Sequence, residues 1–354
     1  MERIRFKDWL NERLPLVGHL ESFLRQKTVP RHKYSFFYLF GGLSLFLFGI
    51  QLVTGILLAL YYSPTPENAN ESVRRIITEV NFGWLIRSIH VWGANFMVVV
   101  VLIHMFSTYF MKAYRNPREF MWLTGSVILL LILGFAFTGY LLPWDTTAYF
   151  ATQIGTEIPK SIPIVGDLVV TLLRGGDEVG AEALKRMYTI HVTVLPITAI
   201  ILILFHVILQ QVLGTSKPIG IEERKPPFPF LPNYVYRDSI AWTGTLILLL
   251  GFAMIHPQEL GERADPFASA PTGIRPEWYF LPLYQTLRIV PTRVLSLSGE
   301  MLVNVALIVG LTAWVAIPFM DRKADREQQD PLFQVVGIVL LLYCGFSIIL
   351  ALLT

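Results

Sequence analysis

Four histidines have the spacing to do chemistry. His90 and His104 lie in the hydrophobic stretch Trp84–Phe110, and His191 and His206 in Tyr188–Leu213. About 20 apolar residues suffice to cross a bilayer, so each stretch is long enough to span one. The histidines are 14 residues apart in the first stretch and 15 in the second. In a helix this separates two imidazoles by roughly 21–22 Å along the axis. Fourteen steps return to within about 40° of the starting face, and 15 to within about 60°. Each helix thus shows one imidazole near each membrane surface, on broadly one side. Two such helices facing each other form two stacked histidine pairs, a scaffold for two bis-histidine metal centres such as haem irons. A single histidine in an apolar helix is ordinarily a hydrogen-bonded core residue. Four of seven, at matched depths in two spans, form a different pattern, and ionisable groups inside a bilayer are costly enough to mark function.

The elements that must position these residues are membrane helices. The 354 residues are 53% hydrophobic and only 16% charged, with a mean hydropathy of +0.53, which indicates an all-α, polytopic membrane protein. The net charge of +3 gives no sign of nucleic-acid binding. A single cysteine, Cys344, excludes within this chain an internal disulfide, a cysteine zinc site, an iron–sulfur cluster and a covalent haem motif. Any haem here is held non-covalently. Residues 1–33 lack the apolar core of a signal peptide and read as an N-terminal surface segment with an amphipathic helix over Ile4–Leu24.

Seven spans are expected: Phe36–Tyr61, Trp84–Phe110, Met121–Leu142, Tyr188–Leu213, Ser239–Ile255, Glu300–Met320 and Pro331–Leu353. In lipid each must satisfy its own backbone, hence helices. They divide into a four-helix metal-binding bundle over residues 34–215, a proline-rich linker over 216–238 and three further helices over 239–354. Residues 1–33 and the loops 111–120, 214–238 and 321–330 hold 18 Lys and Arg; the loops on the other side hold 10 in a longer stretch. The positive-inside rule then places the N-terminus in the cytoplasm and the C-terminus outside. The second and fourth spans run parallel, so His90 should pair with His191 near the outer face and His104 with His206 near the inner face.

Glycines repeat the histidine interval. Gly41 and Gly55 are 14 apart in the first span, as are Gly125 and Gly139 in the third. Glycine permits close approach of a neighbour, so these positions suit flat groups pressed against the flanking helices. Arg87, three residues before His90, can bind a carboxylate such as a haem propionate. The loop over residues 143–187 should carry short surface helices. The loop 256–299 contains Pro276-Glu-Trp-Tyr-Phe280, an acid among aromatics at the membrane edge that suits a lipophilic ring site with a proton acceptor. No internal repeat, nucleotide loop or hydrolytic triad is present.

The paired histidines, the four glycines, Gln51, Arg87-Ser-Ile-His90, Gly139-Tyr-Leu-Leu-Pro-Trp144 and Pro276-Glu-Trp-Tyr-Phe280 resemble cytochrome b of the Rieske/cytochrome bc-type quinol oxidoreductases, over almost the whole chain. The 15-residue interval, Asn81-Phe-Gly-Trp-Leu-Ile-Arg87 and Asp265-Pro-Phe lean toward the photosynthetic, plastoquinol-oxidising branch. There the four-helix and three-helix parts are separate chains; here they look fused. That branch's extra haem cysteine is replaced by Leu39 and its basic residue after the last ligand by Gln211, so no third, covalent haem is expected.

The resemblance implies a di-haem subunit in the cytoplasmic membrane of a bacterium. It would oxidise quinol at the outer face and send one electron to a Rieske iron–sulfur protein and on to a c-type cytochrome. The other would cross two b haems (His90/His191 and His104/His206) to reduce quinone at the inner face, contributing to proton translocation. Glu277 would accept the quinol proton, with Tyr140, Tyr284, Phe137 and Tyr279 lining that pocket. Asp238 would donate protons at the inner site, with His32 and Gln211 nearby. A homodimeric complex is implied. A di-haem anchor of a quinone-linked dehydrogenase without bifurcation, and a transporter with buried histidines, are the rival classes; neither explains the Pro-Glu-Trp-Tyr segment and the glycine set together.

Overall fold

A computed structural model describes residues 22–224 and 226–353. Seven long apolar helices carry the described part of the chain: α1 Leu39–Ala59, entered through a 3-10 turn at Ser35–Tyr38, α2 Gly83–Phe110, α3 Glu119–Tyr140, α4 Ala181–Leu213, α5 Phe230–Ile255, α6 Gly299–Val315 and α7 Pro331–Leu353. All but α6 are long and apolar enough to cross a membrane. At 17 residues α6 is about 26 Å long, at the lower limit for a span. The expected span Glu300–Met320 breaks because Pro318 cannot donate to the Trp314 carbonyl. That carbonyl instead accepts from Trp122 Nε1 at 3.0 Å, and a separate turn, Ile317–Met320, follows. The expected surface helix Ile4–Leu24 lies almost entirely outside the described residues.

Two helices begin earlier than the apolar pattern indicates. α4 starts at Ala181, and its first turns are amphipathic and buried through Ala183, Leu184 and Met187. α5 starts at Phe230, with Leu231 non-helical and Pro232 in the first turn, where its missing N–H has no partner to lose. The polar run Tyr236-Arg237-Asp238 hides this start from a hydropathy reading.

α1 lies along α2, and α3 along α4, while α5 packs on both α1 and α2. The core between them is built from Leu47, Phe48, Met97, Val98, Ile132 and Ala199, joined by Val101 and Leu249. It occupies the middle of the bundle, since Met97 and Val98 lie halfway between His90 and His104. Away from that core, α4 exposes Ile197, Ile201, Leu204, Ile208 and Val212, an apolar stripe at helical spacing suited to lipid.

The two ends of the bundle differ. At the loop-rich end, Tyr62 donates to Leu142 O at 2.7 Å, and Asn70 Nδ2 to Pro143 O at 3.2 Å and Gly261 O at 3.3 Å. Asp145 caps the surface helix Thr146–Glu157 by accepting from Ala148 N at 2.9 Å. A second short helix, Gly166–Arg174, follows. At the basic end, an ion pair between Lys112 and Asp321, both side chains almost wholly buried, joins the α2–α3 loop to the segment after α6. Tyr114 donates to the same carboxylate at 2.7 Å. Strand pairing of Thr28–Val29 with Phe228–Pro229 ties residues before α1 to the start of α5.

Candidate functional site

The site is built from α1 to α4. At the loop-rich end, the rings of His90 on α2 and His191 on α4 are 6.3 Å apart at 71°. Metal–nitrogen bonds of about 2 Å, with roughly 1.1 Å from ring centre to nitrogen, place two imidazoles on one ion about 6 Å apart. The gap therefore fits one metal ion. Fifteen residues along a regular helix would have turned His206 about 100° further than His104 is turned on α2. The structure removes the discrepancy through a π turn at Ile190–Val194, which contains His191. A π turn takes up one residue more than an α turn, so 15 residues here cover the angle of 14 and both helices keep their imidazoles in register.

The glycines face the imidazoles. A Cβ added at Gly55 would lie 3.3 Å from His90 Cε1, and one at Gly139 only 2.6 Å from His191 Cε1. At the basic end, Gly41 and Gly125 stand in the same relation to His104 and His206, each at 3.2 Å. Each ligand ring is thus pressed edge-on against the neighbouring helix, which only a residue without a side chain permits.

Hydrogen bonds fix the tautomer. Thr54, Thr124 and Thr138, each directly before a glycine, place Oγ1 at 2.9, 2.9 and 3.1 Å from Nδ1 of His90, His206 and His191. Each hydroxyl already donates its single proton to the carbonyl four residues back, those of Ile50, Phe120 and Gly134. The oxygen can only accept from the imidazole, so Nδ1 carries the hydrogen and Nε2 keeps its lone pair for a metal. Among the described residues, no group of three or more His, Cys, Asp or Glu converges. A metal held between either pair would have two protein ligands, and a macrocycle carrying its own four nitrogens would complete its coordination. The residues therefore fit a bis-histidine haem at each level.

Beside the loop-rich pair lies the expected ring site. Phe135 meets His191 edge-on at 5.5 Å, and Phe137 meets Phe280 at 6.3 Å. Phe137 also packs on Gly155 of the surface helix. Trp278 is held by a hydrogen bond from its Nε1 to Asn95 Oδ1 at 2.8 Å. Tyr279 meets both Trp278 and Phe280 edge-on, with ring separations of 5.3 and 4.9 Å. Burial raises Glu277 above the ordinary carboxylate range, and its charge acts on both Tyr140 and Tyr279. Phe137, Tyr140, Glu277 and Tyr279 are therefore neighbours. Tyr284 sits one turn further on, in the helix Leu281–Ile289.

Arg87 ties two distant segments together. Its terminal nitrogens donate to Gln258 O at 2.5 Å and Glu259 O at 3.1 Å, pinning the loop after α5 to the start of α2. At the basic end, Asp238 packs against Gly42, next to the glycine that faces His104. Gln211 accepts a hydrogen bond from Lys27 Nζ at 2.5 Å, and the same ammonium reaches the Gln210 and Gln211 carbonyls at the C-terminal end of α4. Lys27, a cation at a position the sequence reading did not single out, thus covers Gln211. His32 accepts at Nδ1 from Tyr34 N at 3.1 Å, and its Nε2 lies 2.6 Å from Tyr38 Oη, which donates to Ser216 O. Both its ring nitrogens are used within the segment, and burial lowers its pKa.

Comparison with known proteins places the chain among relatives. Residues 24–214 match the family model described as "Cytochrome b/b6/petB", and residues 263–353 the model "Cytochrome b(C-terminal)/b6/petD". The chain is 46% identical over 338 residues to a cytochrome bc complex cytochrome b subunit of Chlorobaculum thiosulfatiphilum, covering 95% of this chain and 78% of that one. Over 60% of its length it is 45% identical to the whole of a cytochrome b6 of Heliobacterium mobile. Among solved structures, a chain of a hyperthermophilic respiratory Complex III superimposes with a TM-score of 0.85 at 32% identity, covering 97% of this chain and 90% of that one.

Proposed function

The chain belongs to the cytochrome b/b6 family, and from that premise we propose that it is the di-haem cytochrome b subunit of a proton-translocating, quinol-oxidising cytochrome bc complex. The observation that carries the reading is the pairing of His90 with His191 at 6.3 Å, each ring seated against a glycine and tied through Nδ1 to a threonine. The residues of the other pair repeat the glycine arrangement. Two b-type haems, when bound, supply one-electron carriers at two depths of the membrane.

The chain's own residues do the rest. Phe137, Phe280 and Tyr279 form an apolar slot for a quinol ring at the loop-rich end, read as the outer face. Glu277, half-buried among them, accepts a hydroxyl proton as general base. Its raised pKa brings it nearer the operating pH, where a base both accepts and releases protons. The loops pinned by Arg87 and Asn70 cover this end and restrict water. At the basic end, Asp238 holds a proton for incoming quinone, while Lys27 supplies the positive charge that Gln211 does not. One of the quinol's two electrons leaves to a Rieske iron–sulfur protein and then a c-type cytochrome, and the other crosses the membrane, in a homodimeric complex in a bacterial cytoplasmic membrane.

The test is reduction of the purified complex by a quinol. Two b-type α bands, one becoming reduced only when the Rieske centre is oxidised, are expected. Full reduction of both bands by quinol in a complex without any Rieske centre would instead support the simple membrane anchor.

A further inference from the structure

The four ligand imidazoles are not equivalent. Those of His90, His191 and His206 each have Nδ1 on a threonine that directly precedes a glycine. His191 gains a second acceptor in the Phe135 carbonyl at 3.1 Å, and His206 has the matching backbone partner in Met121. His104 faces Gly41 in the same way, but the residue before Gly41 is Phe40. Its Nδ1 is buried with no hydrogen-bond partner among the described residues. The Phe40 side chain packs on the 3-10 turn before its helix, its ring lying 5.5 Å from Phe36 and stacked 6.0 Å from Phe37.

An acceptor on Nδ1–H makes an imidazole more basic and fixes its orientation. A more basic ligand favours the ferric over the ferrous ion, and second-shell hydrogen bonding is one of the protein's levers on haem potential. The His90/His191 centre has this support on both sides, and the His104/His206 centre on one. Resting on the di-haem reading above, we infer that Thr54, Thr124 and Thr138 are positioning residues for the ligand imidazoles, and that Phe40, by withholding the fourth hydroxyl, makes the His104/His206 centre the easier to reduce. The difference biases electrons from the loop-rich end toward the basic end through side chains that touch no haem iron. It was hidden in the sequence as three Thr-Gly pairs and one Phe-Gly pair, all at positions already marked by the 14-residue glycine interval.

The experiment is a redox titration of the two b-type α bands in the intact complex carrying Phe40→Thr, Thr138→Val, Thr124→Val or Thr124→Ser. Phe40→Thr supplies the missing acceptor and should shift the oxidised-to-reduced ratio of the His104/His206 haem about tenfold toward oxidised, about 59 mV downward for one electron, with the other haem unmoved. Thr138→Val should move the His90/His191 haem upward by a smaller factor, because the Phe135 carbonyl remains to accept from His191 Nδ1. Thr124→Val should raise the His104/His206 haem and Thr124→Ser restore it, a rescue that loss of packing alone does not give. Two bound haems whose potentials stay in place in Phe40→Thr and Thr138→Val overturn this inference and leave the di-haem reading standing. If Phe40→Thr does not assemble, the threonine variants decide by the same criterion. A wild-type chain without haem overturns the di-haem reading and this inference with it.

Discussion

Gly139→Ala is the substitution whose consequence the structure specifies most sharply. A methyl there would lie 2.6 Å from His191 Cε1, 3.1 Å from Nδ1 and 3.3 Å from Nε2. Ordinary contact begins at 3.4 Å, so the ring must retreat by about 0.8 Å, beyond the roughly 0.5 Å within which ligand constellations must be held. Such displacement of a ligand costs about 10- to 100-fold in affinity for the metal group, or about 1.4 to 2.7 kcal/mol. Gly55→Ala, whose methyl would stand 3.3 Å from His90 Cε1, should cost far less. Gly134→Ala on the same helix is the control, because its methyl would meet only Leu195 at 3.8 Å. The assay is haem per chain in the purified complex, with the reduced-minus-oxidised spectrum showing which band is lost. The expected result is selective loss of one haem in Gly139→Ala, near-normal content in Gly55→Ala and normal content in Gly134→Ala. Equal retention of both haems, at unchanged potentials, in Gly139→Ala and Gly134→Ala would refute the claim that the glycine seats the ligand ring.

Two further outcomes follow from charges outside the spans. A protonated Glu277 cannot accept a proton, and burial raises its pKa, so quinol oxidation should decline as pH falls through that raised value, above the usual carboxylate range. Glu277→Gln should slow turnover and abolish this acid limb at constant haem content; a pH–rate profile of unchanged shape counts against the base role. Asp321→Ala leaves Lys112 buried without its partner, a loss of about 3–5 kcal/mol for a broken buried pair. The double variant Lys112→Met/Asp321→Leu should recover much of the thermal stability, and a double variant no more stable than the single one contradicts the pairing.

The large features of the site were legible because they repeat. Matched intervals of His90/His104 and Gly41/Gly55 need only a helical period to be read as two levels of one bundle, and parallel spans pair His90 with His191. What repetition cannot carry is contact between segments distant in sequence. Lys112 and Asp321 are 209 residues apart, and neither lies in a pattern that names the other. Lys27 reaches Gln211 across 184 residues, so the residue beside a conspicuous glutamine was invisible. Arg87 shares a helix face with His90, but its contacts with the carbonyls of Gln258 and Glu259, 171 and 172 residues away, leave no mark in that spacing.

Local irregularities also escaped. The 15-residue interval gives no sign of the π turn at Ile190–Val194 that restores the register of a 14-residue one. Pro318 in an apolar run ended α6 early, and polar residues masked the start of α5. Hydropathy locates where a chain prefers lipid, whereas helix ends depend on which backbone groups find partners.

The pairing of histidines across α2 and α4 is tested most directly by haem stoichiometry in three proteins: the wild-type complex, His90→Leu and His206→Leu. The account predicts two non-covalent b haems per wild-type chain and one in each variant, with the surviving α band differing between the two. Loss of both haems together from membrane-inserted variants, or retention of two in either, would contradict it.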